Sequence, residues 1–302
     1  MARIAIIGSG FVGQATGKGF AKRGHETVFC DINRKIIKKL GGEGFKSCLP
    51  FRLEEEGNFD FFFISVPTPT VKGNVNLNFL RKAVVSLGQS ALKRSGRYCL
   101  VVPRSTIPMG TTENMIIPML QEHSGKMAGR DFGVCFNPEF LREEFSQNDF
   151  DNPRIVMIGE LDRKSGDALE ELYASHFSCP IYRREIREAE LYKLMHNSVN
   201  AAKISLGNEM GMLCESAGIE PMRLMPLLAV SAESCWNPLY GFRRMGHYGG
   251  SCLPKDTVGL VQWARSHLKM EMILLEAVIE VNKTMIKNNG GLESLPKKEM
   301  VY

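Results

Sequence analysis

Several features that mark other protein classes are missing from this chain of 302 residues. No apolar run is long enough to cross a membrane, so we expect no transmembrane helix and no membrane partner. The eight cysteines form no CxxC pair and the six histidines stand apart, so we expect no metal site. Internal repeats and low-complexity segments are absent from the sequence as well.

The charge is close to balanced, with a net value of only +5. The basic residues are spread along the chain, so we expect no nucleic-acid surface. Residues 1–3 do not resemble a signal peptide, which favours a cytoplasmic location with reduced thiols. The 44% of hydrophobic residues is ordinary for a globular protein, and the length allows two domains, each with a core.

A short apolar strand followed by a glycine-rich turn opens the chain. Residues 3–7 predict a buried strand, residues 8–13 read GSGFVG, and a helical pattern follows. In this context Gly8 makes the tight turn, Gly10 lets a pyrophosphate approach, and Gly13 packs the helix on the strand. The N-terminus of the helix then binds the phosphates of a dinucleotide. A glycine-rich turn without a ligand is the alternative.

An acidic residue ends the second predicted strand. Residues 26–30 form this strand, and Asp31 follows at the position where a ribose diol is held. A carboxylate there favours NAD over NADP, because NADP carries a phosphate on the same ribose. The motif and the acid together predict an NAD site.

Two further loops are expected at the carboxyl ends of strands, where open α/β sheets bind ligands. Residues 67–70 read PTPT and stiffen one loop. Residues 104–112 read RSTIPMGTT, and Thr106 is placed to reach a ligand. Thr111 and Thr112 could cap the helix that follows, so a purely structural turn is equally compatible with the spacing.

A pair of glutamates follows the strand predicted at residues 133–136. The next residues, 137–143, read NPEFLRE and place Glu139 and Glu143 four positions apart. Two carboxylates at a strand end could serve acid–base chemistry. Solvated surface glutamates are the default alternative.

Alternation of strands and helices continues to about residue 184 and then stops. It predicts an α/β domain with a doubly wound parallel sheet at residues 1–184, a mostly helical domain at residues 185–290, and a loose tail at residues 291–302. A polar loop is expected at residues 41–58. Further strands are predicted at residues 59–66, 98–102, 154–158 and 180–182. Further helices are predicted at residues 78–93, 162–176, 185–217, 222–230, 255–267 and 272–287, with residues 231–248 irregular.

The helix predicted at residues 185–217 is too long for an ordinary crossover connection. Glu190, Lys193 and Asn197 share one of its faces, either as a polar patch aimed at a ligand or as an exposed surface. Its apolar positions could pack against another helix, including one from a second subunit, and Gly218 is expected to end it.

Residues 249–256 read GGSCLPKD and combine a thiol, a cation and a carboxylate. Pro254 favours the first turn of a helix, so Cys252 is expected just before a helix N-terminus, where a thiolate is stabilised. Asp256 lies one turn further on and could hold a water or take a proton. The pattern is typical of covalent catalysis, and a small buried cysteine is the alternative.

Taken in order, the segments GSGFVG, VPTP, STIPMGTT, NPEFLRE, AELYKLMHNS and GGSCLPKD resemble the UDP-glucose/GDP-mannose dehydrogenase family over nearly the whole chain. The resemblance implies a Rossmann domain that binds NAD and a helical central domain that forms a homodimer through its long helix. It also implies oxidation of a sugar's primary alcohol to a carboxylate in two NAD-dependent steps, with a nucleotide sugar or related sugar as the small-molecule substrate.

The resemblance also implies roles for individual residues. Cys252 would be the nucleophile that forms a thiohemiacetal and then a thioester, and Lys193 and Asn197 would stabilise the developing alkoxide. Asp256 would work with a water as the first base, Glu139 would activate water for hydrolysis, and Thr106 would position that water or the cofactor. The implied cofactor contacts are Gly8, Gly10, Phe11, Val12, Gly13, Asp31, Pro67, Ser105, Glu143 and Lys255. The implied substrate contacts are Glu139, Phe140, Leu141, Lys193, Asn197 and Gly249.

The chain departs from the family pattern at several places, one of which is a shorter segment between Leu40 and Phe59. Trp236 or a neighbour stands where the family has an arginine that reaches the substrate across the dimer. Glu144 stands where glycine is frequent. The chain ends near the place where the family's third domain begins, and that domain normally grips the nucleotide of the substrate. A truncated piece and a natural short form with a different sugar are both compatible with this.

Two other functions remain open from the sequence. A β-hydroxyacid-type dehydrogenase has a similar size and a similar lysine and asparagine, but it transfers one hydride and has no use for Cys252. An NAD-binding regulatory or scaffold protein is the other alternative. The retention of every implied catalytic residue argues against that second alternative.

Overall fold

The computed structural model describes residues 1–238, 240–241, 247–250 and 252–288. The chain divides into two compact units, the first being Met1–His196 and the second beginning at Asn197. Helix α7, Ile186–Ser216, contributes residues to both units. The boundary expected at residue 184 therefore stays a prediction, and the tail at residues 291–302 lies outside the described residues.

The first unit is built on an eight-stranded sheet with the order β10-β9-β8-β7-β4-β1-β2-β3. Its strands are β1 Arg3–Ile7, β2 Glu26–Cys30, β3 Lys46–Cys48, β4 Phe61–Ile64, β7 Leu100–Pro103, β8 Gly133–Phe136, β9 Val156–Glu160 and β10 Ile181–Glu185. The doubly wound α/β class predicted from the sequence is confirmed. One feature of that prediction is wrong, since β9 pairs antiparallel with β8 although every other pair of the sheet is parallel.

The central strands β4, β7 and β8 are buried along their whole length because both faces of the sheet are covered there by helices. In β1, Ala5 and Ile7 pack into one hydrophobic cluster, and Ile4 and Ile6 pack into a second cluster. Alternate residues of a strand point to opposite faces, so the two clusters lie on the two sides of the sheet. The sheet thereby presents the carboxyl ends of β1, β2, β4 and β7 along one edge.

Six helices belong to the first unit before α7. They are α1 Phe11–Lys22, α2 Arg34–Gly42, α3 Asn78–Leu87, α4 Ile117–Ser124, α5 Ser146–Asp151 and α6 Arg163–Ala174. A π-helical turn extends α3 through Gly88–Leu92, and another, Thr112–Ile116, leads into α4. The helix expected at residues 78–93 is thus present, with a kink at Ser90.

Some local predictions were wrong. The loop expected at residues 41–58 contains β3 and a 3₁₀ helix at Pro50–Glu56, and a short hairpin of β5 Thr70–Val71 and β6 Asn74–Val75 follows β4. Neither threonine at the start of the Thr112–Ile116 turn caps it through its side chain, since the Thr111 hydroxyl donates to the Pro108 carbonyl instead.

The second unit is helical. After α7 it contains a 3₁₀ turn at Pro221–Arg223, α8 Met225–Ser231, α9 Glu233–Trp236, α10 Leu253–Trp263 and α11 Ile273–Asn288. The helix expected at residues 222–230 is therefore split in two, and α9 interrupts the stretch expected to be irregular. As predicted, α7 is one long helix, and Gly218 follows it with a positive φ of 73°. In the described part of the chain, no helix is both long and apolar enough to span a bilayer.

Candidate active site

The turn between β1 and α1 has the geometry that its glycines predict. Gly8 has a φ of +89°, and a Cβ on it would lie 2.6 Å from the Ser65 carbonyl oxygen. A Cβ on Gly13 would lie 2.0 Å from the Gly8 carbonyl oxygen, so Gly13 allows α1 to pack closely on the turn. A Cβ on Gly10 would meet no protein atom within 4 Å. The open space at Gly10, directly before the N-terminus of α1, is where a dinucleotide phosphate fits.

Asp31 is held in a fixed orientation at the end of β2. Its Oδ2 accepts a hydrogen bond from the Ser9 backbone N–H at 2.7 Å, and its Oδ1 accepts one from the Asn33 N–H at 2.8 Å. The first bond attaches the carboxylate to the glycine turn. Asp31 therefore lies beside the phosphate-binding turn, as the order of a dinucleotide's groups requires.

A cleft of about 690 Å³ runs along the carboxyl edge of the sheet. Nine of the residues predicted from the sequence line it, namely Gly8, Gly10, Phe11, Val12, Asp31, Pro67, Ser105, Thr106 and Glu139. The structure thus brings residues that follow five different strands to one cavity of the first unit. Its volume lies within the range of ordinary small-molecule sites.

An apolar wall of this cleft was not predicted from the sequence. It is formed by Ile32, Ile36, Pro50, Leu53, Phe79 and Ala83. Pro50 and Leu53 lie in the 3₁₀ helix of the stretch that was expected to be a featureless loop. The apolar residues within that polar stretch of the sequence could have indicated that it packs against the cleft. Such a wall suits an aromatic base, which needs apolar contact rather than charge.

Two side-chain hydrogen bonds join the loops that follow β4 and β7. The Ser105 hydroxyl donates to the Val66 carbonyl at 2.7 Å, and the Thr68 hydroxyl donates to the Thr106 carbonyl at 2.6 Å. These bonds fix the backbone on either side of Pro67 and Thr106, so that both loops line the cleft as one surface.

Glu139 and Lys193 form a buried ion pair. The Lys193 Nζ lies 3.0 Å from Glu139 Oε1 and also donates to the Glu139 carbonyl oxygen. Glu139 Oε2 accepts from the Leu141 N–H at 2.7 Å. Only 5% of the lysine side chain and 12% of the glutamate side chain are exposed. Because Glu139 lines the cleft, the pair sets a carboxylate at its wall, with the Lys193 ammonium group bound to it.

A second cleft of about 560 Å³ lies next to this pair, within the first unit. It shares Arg104 and Glu139 with the first cleft, and Phe140 and Leu141 also line it. Residues expected to contact the substrate therefore border a cavity adjacent to the one that holds the dinucleotide motif. Glu143 is exposed and lines neither cleft, so its cofactor contact stays a prediction.

Glu190 is a buried carboxylate for which the sequence predicted no separate role. Its side chain is completely buried, with Oε1 accepting from the Thr112 N–H at 2.8 Å and Oε2 accepting from the Gly110 N–H. Burial raises the pKa of this carboxyl, and the two N–H groups oppose that rise. The polar face of α7 is therefore buried at Glu190 and Lys193, whereas Asn197 is exposed.

The second unit carries the cysteine motif. Cys252 is exposed and lies directly before α10, where its carbonyl accepts from the Asp256 N–H at 2.8 Å. Pro254 lies in the first turn, as expected. Lys255 and Asp256 are exposed and form an ion pair with each other. The predicted position of Cys252 before a helix N-terminus is confirmed.

Another contact holds the chain just before this motif. The Asn282 side chain of α11 accepts from the Tyr248 N–H at 2.7 Å and donates to the Tyr248 carbonyl at 3.1 Å. These paired bonds fix the backbone next to Gly249, which is exposed. All eight cysteines are thiols, and among the described residues no group of three or more His, Cys, Asp or Glu is placed to hold a metal ion.

An eight-stranded, mostly parallel sheet, a glycine turn after β1 and an acid at the end of β2 define the first unit as a dinucleotide-binding domain. Comparison with known proteins gives a narrower assignment. The model of the UDP-glucose/GDP-mannose dehydrogenase family NAD-binding domain matches residues 2–48 and 51–177, and the model of the family's central domain matches residues 187–284. The chain belongs to the UDP-glucose/GDP-mannose dehydrogenase family, and its cofactor is NAD.

Individual relatives agree with this assignment. The chain is 35% identical to a GDP-mannose 6-dehydrogenase of Pseudomonas syringae pv. syringae, over 95% of this chain and 69% of that protein. It is 30% identical to a UDP-glucose 6-dehydrogenase of Haloferax volcanii, over 92% of this chain and 69% of that protein. A solved GDP-mannose dehydrogenase from Pseudomonas aeruginosa superposes with a TM-score of 0.86 at 31% identity, covering 94% of this chain and 69% of that one.

Proposed function

We propose that this protein oxidises the primary alcohol of a nucleotide sugar to a carboxylate, with two molecules of NAD reduced for each sugar. The observation that carries the proposal is the cleft of the first unit, which is lined both by the dinucleotide motif and by Glu139 of the buried Glu139–Lys193 pair. Membership of the family supports the same reaction class.

The residues of the cleft fit NAD. Gly10 leaves space for the pyrophosphate, Asp31 presents a carboxylate to a ribose diol, and the apolar wall suits the adenine. When bound, NAD accepts a hydride from the carbon being oxidised. Thr106 and Pro67 line the part of the cleft formed by the loops after β4 and β7 and would hold the reacting end in place.

The chemistry of an acid product requires that the aldehyde be held between the two oxidations. In the proposed reaction, the alcohol loses a proton to Asp256 through a water, and its carbon loses a hydride to give the aldehyde. The Cys252 sulfur adds to the aldehyde carbonyl, and Lys193 and Asn197 donate hydrogen bonds to the oxygen that becomes negative. Loss of a second hydride leaves a thioester on Cys252.

Hydrolysis of the thioester is assigned to Glu139. Its carboxylate removes a proton from the attacking water, the carbon–sulfur bond breaks, and Cys252 is released as the thiol together with the sugar acid. The ion pair with Lys193 holds the Glu139 carboxylate in a fixed position at the wall of the cleft. Phe140 and Leu141 line the adjacent cleft and would contact the sugar nucleotide.

The first experiment is to count NADH formed per sugar nucleotide consumed, with GDP-mannose and UDP-glucose as the first substrates because the relatives carry those names. The proposal expects two NADH for each sugar acid. Cys252→Ser should stop the formation of acid, whereas Cys235→Ser, at the other exposed cysteine, should retain it. One NADH for each substrate and an active Cys252→Ser variant would instead support a dehydrogenase that transfers a single hydride.

We also propose that two copies of the chain pair through α7. Several apolar side chains of this helix are exposed, among them Val199, Ile204, Leu206 and Met212. Exposed apolar surface of this extent along one helix is typical of an interface. Light scattering should give the mass of a dimer for the wild-type protein, and Ile204→Glu should shift it to the monomer. A monomeric wild type at micromolar concentration would refute the pairing.

A further inference from the structure

The carboxylate of Glu190 joins two segments of the first unit. It is completely buried and accepts hydrogen bonds from the backbone N–H groups of Gly110 and Thr112, at the start of the helical segment that leads into α4. A buried carboxylate is tolerated only where hydrogen bonds replace water, so these two bonds are integral to the packing. No positive charge is needed for this arrangement, because helix N-termini present N–H groups to an anion.

The two joined segments both carry residues of the proposed reaction. Thr106 lies four residues before Gly110 and lines the cofactor cleft. Lys193 lies one helical turn after Glu190 on α7 and pairs with Glu139, which lines the same cleft. Glu190 therefore connects the loop of Thr106 to the helix of Lys193 through protein contacts alone.

We propose that Glu190 is a positioning residue that sets Thr106 and Lys193 at their working separation. This inference rests on the proposed function for its catalytic consequence. Glu190 lines neither described cleft, so it acts through the backbone of Gly110 and Thr112 rather than by contact with a ligand. Each of its two oxygens accepts one N–H group, so an amide in its place would turn its own NH2 group toward one of the two donors.

Glu190→Gln is the main test, because it conserves volume and removes one acceptor. Its expected effect is faster hydrogen exchange at the Gly110 and Thr112 amides. We also expect a fall in kcat of about 10- to 100-fold, since small displacements of positioned groups have effects of this size. The KM for NAD should change little, because the glycine turn and Asp31 are untouched. Glu190→Asp keeps the charge with a shorter reach and should give a smaller loss of kcat.

Asp162→Asn is the matched control. Asp162 also caps a helix with its carboxylate, accepting from the Ser165 N–H at 2.8 Å, and it lines neither cleft. Its kcat should stay within a factor of about two of the wild type, as for other changes away from the site. Thermal unfolding of both variants then separates a loss of stability from a loss of positioning.

The results for Glu190→Gln test the inference, and the activity of the wild type tests the proposed function. Unchanged amide exchange in Glu190→Gln would overturn the inference, and so would faster exchange with an unchanged kcat. Failure of the wild-type protein to reduce NAD with any sugar nucleotide would overturn the proposed function instead. In that case faster exchange in Glu190→Gln would support the structural link, and the absence of activity in the wild type would refute its catalytic consequence.

Discussion

The Lys193 Nζ lies 3.0 Å from Glu139 Oε1, although the two residues are 54 positions apart in sequence and both side chains are almost completely buried. A charge pair removed from water is stable only while both partners remain. The cleft therefore contains a carboxylate whose position depends on a lysine from a different element.

Removal of the lysine should destabilise the protein. Lys193→Ala leaves Glu139 buried without its cation, and breaking a buried pair costs about 3–5 kcal/mol. Urea unfolding measures the loss. The control is Lys255→Ala, which removes the cation of an exposed pair with Asp256 and should cost about 0–1 kcal/mol. Equal losses for the two variants would contradict the burial argument.

Two glycines of the same motif should respond differently to alanine. Gly13→Ala places a methyl group 2.0 Å from the Gly8 carbonyl oxygen, so it should lose about 1–3 kcal/mol of stability. Gly10→Ala meets no protein atom within 4 Å and should lose about 1 kcal/mol or less. Gly10→Ala should nevertheless bind NAD poorly, because the methyl group occupies the space for the pyrophosphate. Calorimetric titration with NAD and thermal unfolding test both statements, and tight NAD binding by Gly10→Ala would contradict this placement.

The carboxylate of Asp31 should decide between NAD and NADP. Asp31→Asn removes the negative charge that opposes a ribose phosphate and weakens the bond to the ribose diol. Loss of a hydrogen bond to a charged group is worth about 1.5–3 kcal/mol, so NAD affinity should fall by about 10- to 100-fold. NADP affinity should rise in the same variant. Titration of both cofactors measures this change, and an unaltered ratio of the two affinities would argue against the role of Asp31.

Stability should fall in mildly acidic solution because of His25. Its Nε2 lies 2.6 Å from the His176 Nε2, and burial first, then the charges of His176 and the N-terminus, lower the His25 pKa from 6.5. Below pH 6.5 the unfolded chain binds a proton at His25 more readily than the folded chain does. The contribution of His25 to the free energy of unfolding is therefore complete above pH 6.5 and is lost as the pH falls below that value.

The variant His25→Gln tests this pH dependence by urea unfolding between about pH 5 and pH 8, the range in which a histidine titrates. Its stability should depend less steeply on pH than that of the wild type. The control is His267→Gln, at an exposed histidine of the second unit, which should retain the wild-type slope. An unchanged slope in His25→Gln would show that another group causes any acid sensitivity.

Much of the site was predictable because its signals are local. Gly8, Gly10, Gly13 and Asp31 follow apolar strands at fixed spacing, and the backbone of one turn imposes that spacing. Cys252 before α10 was predictable for the same reason, since Pro254 favours a first helical turn. The long helix α7 and its end at Gly218 also follow from a pattern within one segment.

Other features depended on residues that are distant in the chain. Strand β3 was missed because Lys46–Cys48 is short and largely polar, and it becomes a strand only by pairing with β2. The antiparallel direction of β9 was missed because composition does not encode the direction of pairing. The Thr111 and Thr112 capping prediction failed because Glu190, some 80 positions away, supplies the acceptors.

By itself, the sequence determined the α/β class, the NAD-binding turn, the long helix and the placement of Cys252 before a helix. Each of these depends on contacts within one turn or on the periodicity of one element. Only the tertiary structure decided the apolar wall of the cleft, the Glu139–Lys193 ion pair and the buried Glu190 carboxylate. These depend on desolvation and on partners brought together by the packing of helices on the sheet, and no local pattern records such partners.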